Sequence, residues 1–271
     1  MVASEPISSV STSVEDIHVV EGTRARFERA QSLIRALPLN QAIARLAEFF
    51  VGSPYLAMSL DQSGREQLRL DLTQFDCMLF VEQLLAMVSA ESFDDFVDRT
   101  RRLRYRNGEI GYCTRQHYFH DWVGSAQTQG LIESAPVRSA QAIRNLPLNF
   151  MSSHRDRYPA LQSPGLFNCI RAREQGRRIE QHYLPLASLE AALPSLQSGD
   201  IFAVATRVGG LDVSHMGVLV REGSRLDAIH AAPGRGVMRS RSFIRYLSSV
   251  PDAIGAVIVR PQSVQQPTLL R

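Results

Sequence analysis

The stretch best suited to chemistry places an acid and a thiol directly before an apolar run. It reads "LTQFDCMLFVEQLLAM", in which Asp76 and Cys77 precede a helix predicted to reach about Ala90. A thiol in the first turn of a buried helix meets unsatisfied backbone amides and the positive end of the helix dipole, which favour the thiolate. The same amides can donate hydrogen bonds to an oxyanion. The pattern therefore predicts Cys77 as a nucleophile and Asp76 as the helix cap, with a small buried hydrophobe as the alternative for Cys77.

A nucleophilic thiol needs an imidazole base, and two histidines lie in predicted strands. They are His215 in "SHMGVLV" and His230 in "AIHAA". A two-residue turn at Glu222-Gly223 places them directly opposite each other on one face, with Cβ atoms about 5 Å apart. Gly217 lies on the same face and is predicted to leave space for a substrate beside the imidazole. The alternative is a structural histidine pair at a strand edge.

The elements that must position these residues predict an α+β protein. Apolar spacing indicates a helix over residues 24–37, a second helix from a cap at Asn40 to Gly52, and then strands in "YLAMSL" and "EQLRLDL". Two more helices are predicted over 92–104 and 115–129. The last third of the chain is typical of an antiparallel sheet with one short helix at "SFIRYLSS".

The chain is predicted to form a single domain over residues 23–262. Residues 1–22 and 263–271 are predicted to be disordered or loosely packed tails. Residues 131–198 are predicted to form an irregular insertion with a helix near 166–177. A length of 271 residues with 44% hydrophobic content is sufficient for one sizeable core.

The composition argues against several functional classes. No apolar run approaches the roughly 20 residues of a membrane span, and residues 1–22 lack the basic start and apolar middle of a secretory signal. The net charge of +3 comes from scattered arginines without a recognised binding motif, so no nucleic-acid partner is predicted.

The cysteines are few and unequally spaced. An odd set of three, Cys77, Cys113 and Cys169, argues against a disulfide framework and leaves at least one thiol free. Cys169, in an apparently helical segment, is predicted to be a core residue.

A second cluster has the residue types of a metal site. The segment "CTRQHYFHDW" sets Cys113, His117, His120 and Asp121 at helical spacing. We favour instead that His117 and Trp122 line a substrate groove or pack in the core. Neither a metal nor another cofactor is therefore predicted.

Further polar residues are predicted to contact substrate. They are Asp76, Arg115, Asn149, Ser152, His154 and Ser214. The planar guanidinium of Arg115 suits a peptide carboxylate. Asn149, Ser152 and His154, in "NFMSSH", can contact sugar or peptide amides, or else form loop hydrogen bonds.

Several separated motifs together resemble one known family. In chain order they are "GSPYLAMSL", "LTQFDCMLFVEQLLAM", "YRNGEIGYCTRQHYFHDW", "NFMSSH", "SGDIFAVAT", "LDVSHMGVLV" and "IHAA". They are similar to motifs of the NlpC-type papain-like cell-wall cysteine hydrolases, in the branch described as N-acetylmuramoyl-L-alanine amidase-like. The resemblance covers about residues 45–260. Met78 departs from it, because many relatives carry a small polar residue after the nucleophile.

The resemblance implies a papain-like fold with a helical lobe and an antiparallel β-sheet. It also implies hydrolysis of the amide between N-acetylmuramic acid and L-alanine in peptidoglycan, with Cys77 as nucleophile, His215 as base and His230 orienting the base. Tyr55 matches a tyrosine that lines the site in the wider superfamily. The alternatives are a cysteine endopeptidase that cuts the D-glutamyl bond of the stem peptide, and a non-catalytic wall-binding domain.

The same resemblance sets the expected partners and location. Peptidoglycan or muropeptide fragments are the expected partners, and the chain is expected to be a monomer without a membrane span. The cell envelope or periplasm is the expected location, although residues 1–22 contain no signal peptide pattern.

Overall fold

The computed structural model describes residues 16–61, 65–137 and 139–263. In these ranges the helices are α1 Thr23–Ile34, α2 Leu39–Phe49, α3 Cys77–Ser89, α4 Phe93–Arg104, α5 Phe119–Thr128, α6 Phe150–Ser153, α7 Pro164–Glu174, α8 Leu189–Ala192 and α9 Phe243–Ser249. The strands are β1 Ile17–Val19, β2 Leu68–Leu70, β3 Ile132–Ser134, β4 Ala142–Pro147, β5 Arg178–Pro185, β6 Ile201–Thr206, β7 Val213–Glu222, β8 Arg225–Ala232, β9 Gly236–Ser240 and β10 Ala253–Pro261.

Most of the described strands form one antiparallel sheet of eight strands. Its order is β4-β5-β10-β6-β7-β8-β9, and β3 also pairs with β10. The antiparallel sheet predicted for the last third of the chain is confirmed, and so is the short helix before its final strand. The short strands β1 and β2 pair in parallel outside this sheet.

The sheet has apolar side chains on both faces because successive residues of a strand point to opposite sides. In β6, Ile201 and Ala203 enter a core shared with α1 to α5. Phe202 and Val204 enter a second core shared with α8 and α9. Helix α3 is the most buried helix of the first core, since every residue from Leu79 to Met87 is buried.

The helical region follows the prediction with two corrections. Helix α2 follows Pro38, so Asn40 lies inside the helix and is not its cap. The segment "YLAMSL" forms turns, and only Tyr55 makes an isolated bridge, to Phe75. No helix in the described residues is long and apolar enough to cross a membrane.

The predicted tails and insertion also need correction. Strand β1 lies inside the predicted N-terminal tail, and the Val20 amide donates to Leu70 at 2.9 Å. The insertion is more regular than predicted, since β4 and β5 extend the sheet. Helix α7 confirms the helix predicted near 166–177. Residues 1–15 and 264–271 of the two predicted tails lie outside the described residues, and the single-domain boundary remains a prediction.

Candidate active site

Cys77 is the first residue of α3. The preceding Asp76 is extended, and its Oδ1 accepts a hydrogen bond from the Leu79 amide at 2.8 Å. This N-cap stops the helix from starting earlier and puts the thiol in its first turn. Cys77 is half-buried and is the cysteine that forms no disulfide.

Buried polar side chains fix the segment that leads into α3. Gln83 donates to the Asp71 carbonyl at 3.1 Å and accepts from its amide at 3.3 Å. Glu82 Oε1 accepts two hydrogen bonds from Arg104 of α4, at 2.9 and 2.6 Å. Arg104 also donates to the Arg69 carbonyl at 2.6 Å. The start of this segment is therefore tied to α3, and the strand β2 before it is tied to α4.

His215 and His230 come together, but not in the predicted register. The turn between β7 and β8 is Gly223-Ser224, because Glu222 pairs with Arg225. The predicted register was therefore wrong by two positions. A shift of two residues keeps side chains on the same face, so the two rings still meet, now along a diagonal. His215 Nε2 lies 2.9 Å from His230 Nδ1.

Gly217 does not leave the predicted space for substrate. The corrected register places it opposite His230, and a Cβ built on Gly217 would lie 2.8 Å from the Cβ of His230. The same Cβ would lie 2.5 Å from the backbone oxygen of Ile229. Glycine is needed here because His230 occupies the space that a side chain would take.

Two residues of the site, Ser240 and Tyr246, were not predicted from the sequence. Ser240 of β9 places its Oγ 2.9 Å from His230 Nε2. Tyr246 of α9 lays its ring 4.3 Å from the His230 ring and 6.4 Å from the His215 ring. No local sequence pattern identifies either residue. With the correct strand register, however, the position of Ser240 at the end of the strand that follows β8 would have placed it near His230.

The thiol lies at the start of α3, which packs against β7, the strand that carries His215. The backbone amide of Met216, the residue after His215, acts to lower the pKa of the Cys77 thiol against the larger effect of burial. Burial, and after it the nearby Cys77, raise the pKa of Tyr246. Tyr246 is thus a common neighbour of the thiol and of both imidazoles.

Burial decides the charge of these groups. It raises the pKa of Cys77 to about 12, and the Asp76 carboxylate adds to the rise. Burial lowers the pKa of His215 to about 4, and burial together with His215 lowers that of His230 to about 3. At neutral pH the free protein therefore holds a neutral thiol and neutral imidazoles. The backbone amides predicted to favour the thiolate lower the pKa of Cys77 less than burial raises it.

Tyr55, Asp76 and Ser214 surround this centre. Burial, then the charges of Cys77 and Asp76, raise the pKa of Tyr55 to about 12. Burial also raises the pKa of Asp76. Ser214 is exposed and directly precedes His215. Their predicted contacts with substrate remain predictions.

Arg115 is buried and already paired, contrary to the expectation of a guanidinium free for a ligand. Its Nη2 donates to Asp61 at 2.5 Å, and its Nη1 lies 3.6 Å from Glu66. Nη1 nevertheless has no hydrogen-bond partner within the described part of the chain. Arg115 also lines a cavity of about 160 Å³, together with Asp76 and Met78. The predicted contact of Arg115 with a substrate carboxylate stays a prediction.

His117 and Trp122 occupy different environments. Trp122 is fully buried in the core of α1 to α5, so it does not line a groove. His117 is half-buried and lines the same cavity as Arg115. Its Nε2 lies 2.7 Å from the Tyr112 carbonyl oxygen, and burial lowers its pKa well below the usual value.

The "NFMSSH" residues make local contacts. Asn149 directly precedes α6, and the Ser152 amide donates to Glu174 at 3.0 Å. His154 stacks on Phe150 with ring centroids 4.1 Å apart. These contacts match the loop-bonding alternative, and contact with sugar or peptide stays a prediction.

The predicted cysteine chemistry changes at Cys113 and Cys169. The two form a disulfide with Cα atoms 6.1 Å apart, so Cys169 is not a free core thiol. The metal alternative loses two of its four ligands, since Asp121 pairs with Arg173 and Arg177. No group of three or more metal-ligating side chains occurs in the described ranges.

Comparison with known proteins gives consistent matches. A family model, AmiA-like and described as N-acetylmuramoyl-L-alanine amidase-like, matches residues 45–255. A crystal structure of an N-acetylmuramoyl-L-alanine amidase from Bacteroides uniformis is 30% identical, with a TM-score of 0.78, over 83% of this chain and 99% of its own. A comparison with curated proteins found no match.

Two further solved structures are similar. A putative xylanase from Bacteroides fragilis is 33% identical over 79% of this chain and 98% of its own, with a TM-score of 0.72. Protein LPG0564 from Legionella pneumophila, of family DUF1460, is 19% identical over 89% of this chain and 95% of its own, with a TM-score of 0.73. The second likeness is one of fold alone.

Proposed function

The chain belongs to the AmiA-like family, described as N-acetylmuramoyl-L-alanine amidase-like, and we propose that it is a cysteine amidase of peptidoglycan. The bond cut is the amide between the lactyl group of N-acetylmuramic acid and L-alanine of the stem peptide. Cys77 is the nucleophile, His215 the base and His230 the residue that orients the base.

One observation carries the proposal. A free thiol in the first turn of a central helix shares the neighbour Tyr246 with a hydrogen-bonded pair of imidazoles. A thiol, a base and a third group that orients the base are the parts that nucleophilic acyl transfer requires.

The reaction follows from these positions. His215 removes the thiol proton as the Cys77 sulfur forms a bond to the lactyl carbonyl carbon. The amides at the start of α3 stabilise the oxyanion. The carbon–nitrogen bond then breaks, and His215 returns the proton to the leaving amine of L-alanine. Water, deprotonated by His215, cleaves the thioester and releases the muramic acid carboxylate.

The neutral resting state requires that the proton leave the thiol during attack. A thiol whose pKa is raised to about 12 by burial is not ionised beforehand at neutral pH. His215, with its pKa lowered to about 4, is unprotonated and ready to accept the proton. General-base catalysis is therefore the mode that this site supports.

The architecture and the disulfide support two further parts of the proposal. The thiol on a helical layer and the imidazoles on an antiparallel sheet match the arrangement of a papain-like, NlpC-type enzyme. The Cys113–Cys169 disulfide favours an oxidising compartment, which agrees with the proposed action in the cell envelope or periplasm.

Two other activities are less well supported. An endopeptidase would use the same thiol and imidazoles but would cut the D-glutamyl bond of the stem peptide. A glycosidase, as the description of the Bacteroides fragilis protein suggests, needs two carboxyl groups across the glycosidic bond, whereas this site is centred on a thiol and imidazoles.

Product analysis tests the proposed bond. Purified peptidoglycan and muropeptides are incubated with the protein, and the products are identified by mass spectrometry. We expect glycan ending in a free lactyl carboxylate together with intact stem peptides that begin with L-alanine. Stem peptides cut at the D-glutamyl bond would show an endopeptidase instead.

The matched variant is Cys77→Ala. We expect it to retain the fold, as judged by its melting temperature, and to release no product. Full activity in this variant would reject a cysteine mechanism.

A further inference from the structure

Ser240 stands at the end of a hydrogen-bonded row that crosses three adjacent strands. His215 is on β7, His230 on β8 and Ser240 on β9. The links are 2.9 Å from His215 Nε2 to His230 Nδ1, and 2.9 Å from His230 Nε2 to Ser240 Oγ. His230 pairs with Met238 and Ala228 with Ser240, so Ser240 lies two positions from the residue opposite His230. Both links are therefore diagonal and share one face of the sheet.

The row admits only two arrangements of protons, because a neutral imidazole has one N–H and one acceptor nitrogen. In the first, His215 Nε2–H donates to His230, and His230 Nε2–H donates to the hydroxyl. In the second, Ser240 donates to His230, and His230 Nδ1–H donates to His215. Only the first leaves His215 Nδ1 without a proton, as a base requires.

Proton uptake by His215 also requires the first arrangement. An imidazolium has two N–H groups, so its Nε2–H must be accepted by His230 Nδ1. His230 then carries its own proton on Nε2 and needs an acceptor there. His230 is only 4% exposed, so water does not easily supply one. The hydroxyl of Ser240 is the acceptor in reach.

We propose that Ser240 is a positioning residue that holds His230 in its Nε2–H form and thereby keeps Nδ1 of His215 free to act as the base. The proposal rests on the function proposed above. Ser240 acts through His230 and does not touch the substrate.

The test uses three variants of the full chain. Ser240→Ala removes the acceptor, and Ser240→Thr keeps a hydroxyl on a residue that suits a strand. Ser89→Ala is the matched control, since Ser89 is also half-buried and its hydroxyl also makes one hydrogen bond, to the Leu85 carbonyl at 2.9 Å. Melting temperatures establish that each variant folds.

We expect Ser240→Ala to lower kcat roughly five- to 150-fold, the effect of leaving one buried donor without its acceptor, with little change in KM. Ser240→Thr should restore most of kcat, and Ser89→Ala should leave it unchanged. If Ser240→Ala keeps full kcat while Cys77→Ala is inactive, the role of Ser240 is rejected and the proposed function stands.

A second readout does not depend on activity. Nitrogen-15 NMR of protein labelled at histidine distinguishes a protonated ring nitrogen from an acceptor nitrogen. We expect His230 protonated on Nε2 in the unaltered chain, with a shift toward Nδ1 protonation in Ser240→Ala. An unchanged His230 signal in that variant would overturn the inference, even if the chain proved not to be an amidase.

Discussion

At Cys77 two opposing effects act on one sulfur atom. The first turn of α3 supplies backbone amides, which favour a thiolate, while burial and the Asp76 carboxylate favour the neutral thiol. The helix dipole contributes about 0.3 to 1 kcal/mol at such a position, whereas desolvation can shift a buried group by several pKa units. Burial therefore prevails, and the Cys77 thiol rests uncharged.

The pH dependence of kcat/KM follows from this charge state. The base must be neutral, so kcat/KM should rise with pH through about 4, where the pKa of His215 is held down by burial. It should then stay level to about pH 10, because the thiol pKa is raised to about 12. Steady-state kinetics in overlapping buffers measure the profile. A fall in kcat/KM near pH 8 to 9 would instead indicate a resting thiolate–imidazolium pair.

The residues of the candidate site could be predicted where a short sequence motif identifies them. Cys77 and Asp76 follow from one junction, and the capping role of Asp76 is confirmed. His215 and His230 were placed on one face by a predicted turn whose error of two positions happened to preserve the face. Ser240 was missed because its role depends on the register of a further strand.

Helix α3 positions the nucleophile, and its N-cap determines where it starts. The helix is also held by contacts that the spacing of apolar residues does not predict, chiefly the buried ion pair of Glu82 and Arg104. A glutamate inside an otherwise apolar helix was the available signal, since a buried carboxylate needs a partner. The partner itself could not be identified from sequence.

Removal of the cap tests this element. Asp76→Ala deletes the oxygen that accepts from the Leu79 amide, so we expect the free energy of unfolding to fall by about 1 kcal/mol. Asp76→Asn is the matched control, because it keeps an acceptor oxygen and should retain most of the stability. Urea titrations measure both variants. Equal stability of Asp76→Ala and the unaltered chain would show that the cap does not hold the helix start.

Strand prediction succeeded in the last third of the chain and at β2, which lies inside the predicted strand "EQLRLDL", but it missed β1. Strands β6, β7, β8 and β10 have six to ten residues each and are rich in apolar side chains, which is the pattern that local reasoning detects. In contrast, β1 has only three residues and pairs with β2 alone. Its sequence carries too little alternation to be recognised as a strand.

For the whole molecule, one covalent link joins the middle segment to the helical region. The Cys113–Cys169 disulfide closes a separation of 56 residues. The odd number of cysteines argued against a disulfide framework. It also predicted that at least one thiol is free, which is confirmed for Cys77. The pairing could not be predicted, because it depends on how α7 lies against the loop before α5.

This link should contribute measurably to stability. Closing a loop of this length lowers the entropy of the unfolded chain by an amount worth about 4 kcal/mol in the loop-closure account. We therefore expect dithiothreitol to lower the urea midpoint of the unaltered chain. The double variant Cys113→Ser, Cys169→Ser should start from a lower midpoint and show no response to the reductant. A midpoint insensitive to reduction in the unaltered chain would contradict a stabilising disulfide.

The central claim is that the Cys77 sulfur becomes bonded to the glycan side of the substrate. Acid-quenched turnover followed by intact-protein mass spectrometry and peptide mapping measures this directly. We predict an adduct with the mass of the muramic acid acyl group, located on the peptide that contains Cys77 and absent from Cys77→Ala. Turnover with no adduct on that peptide, or with a stem-peptide acyl group there, would contradict the account.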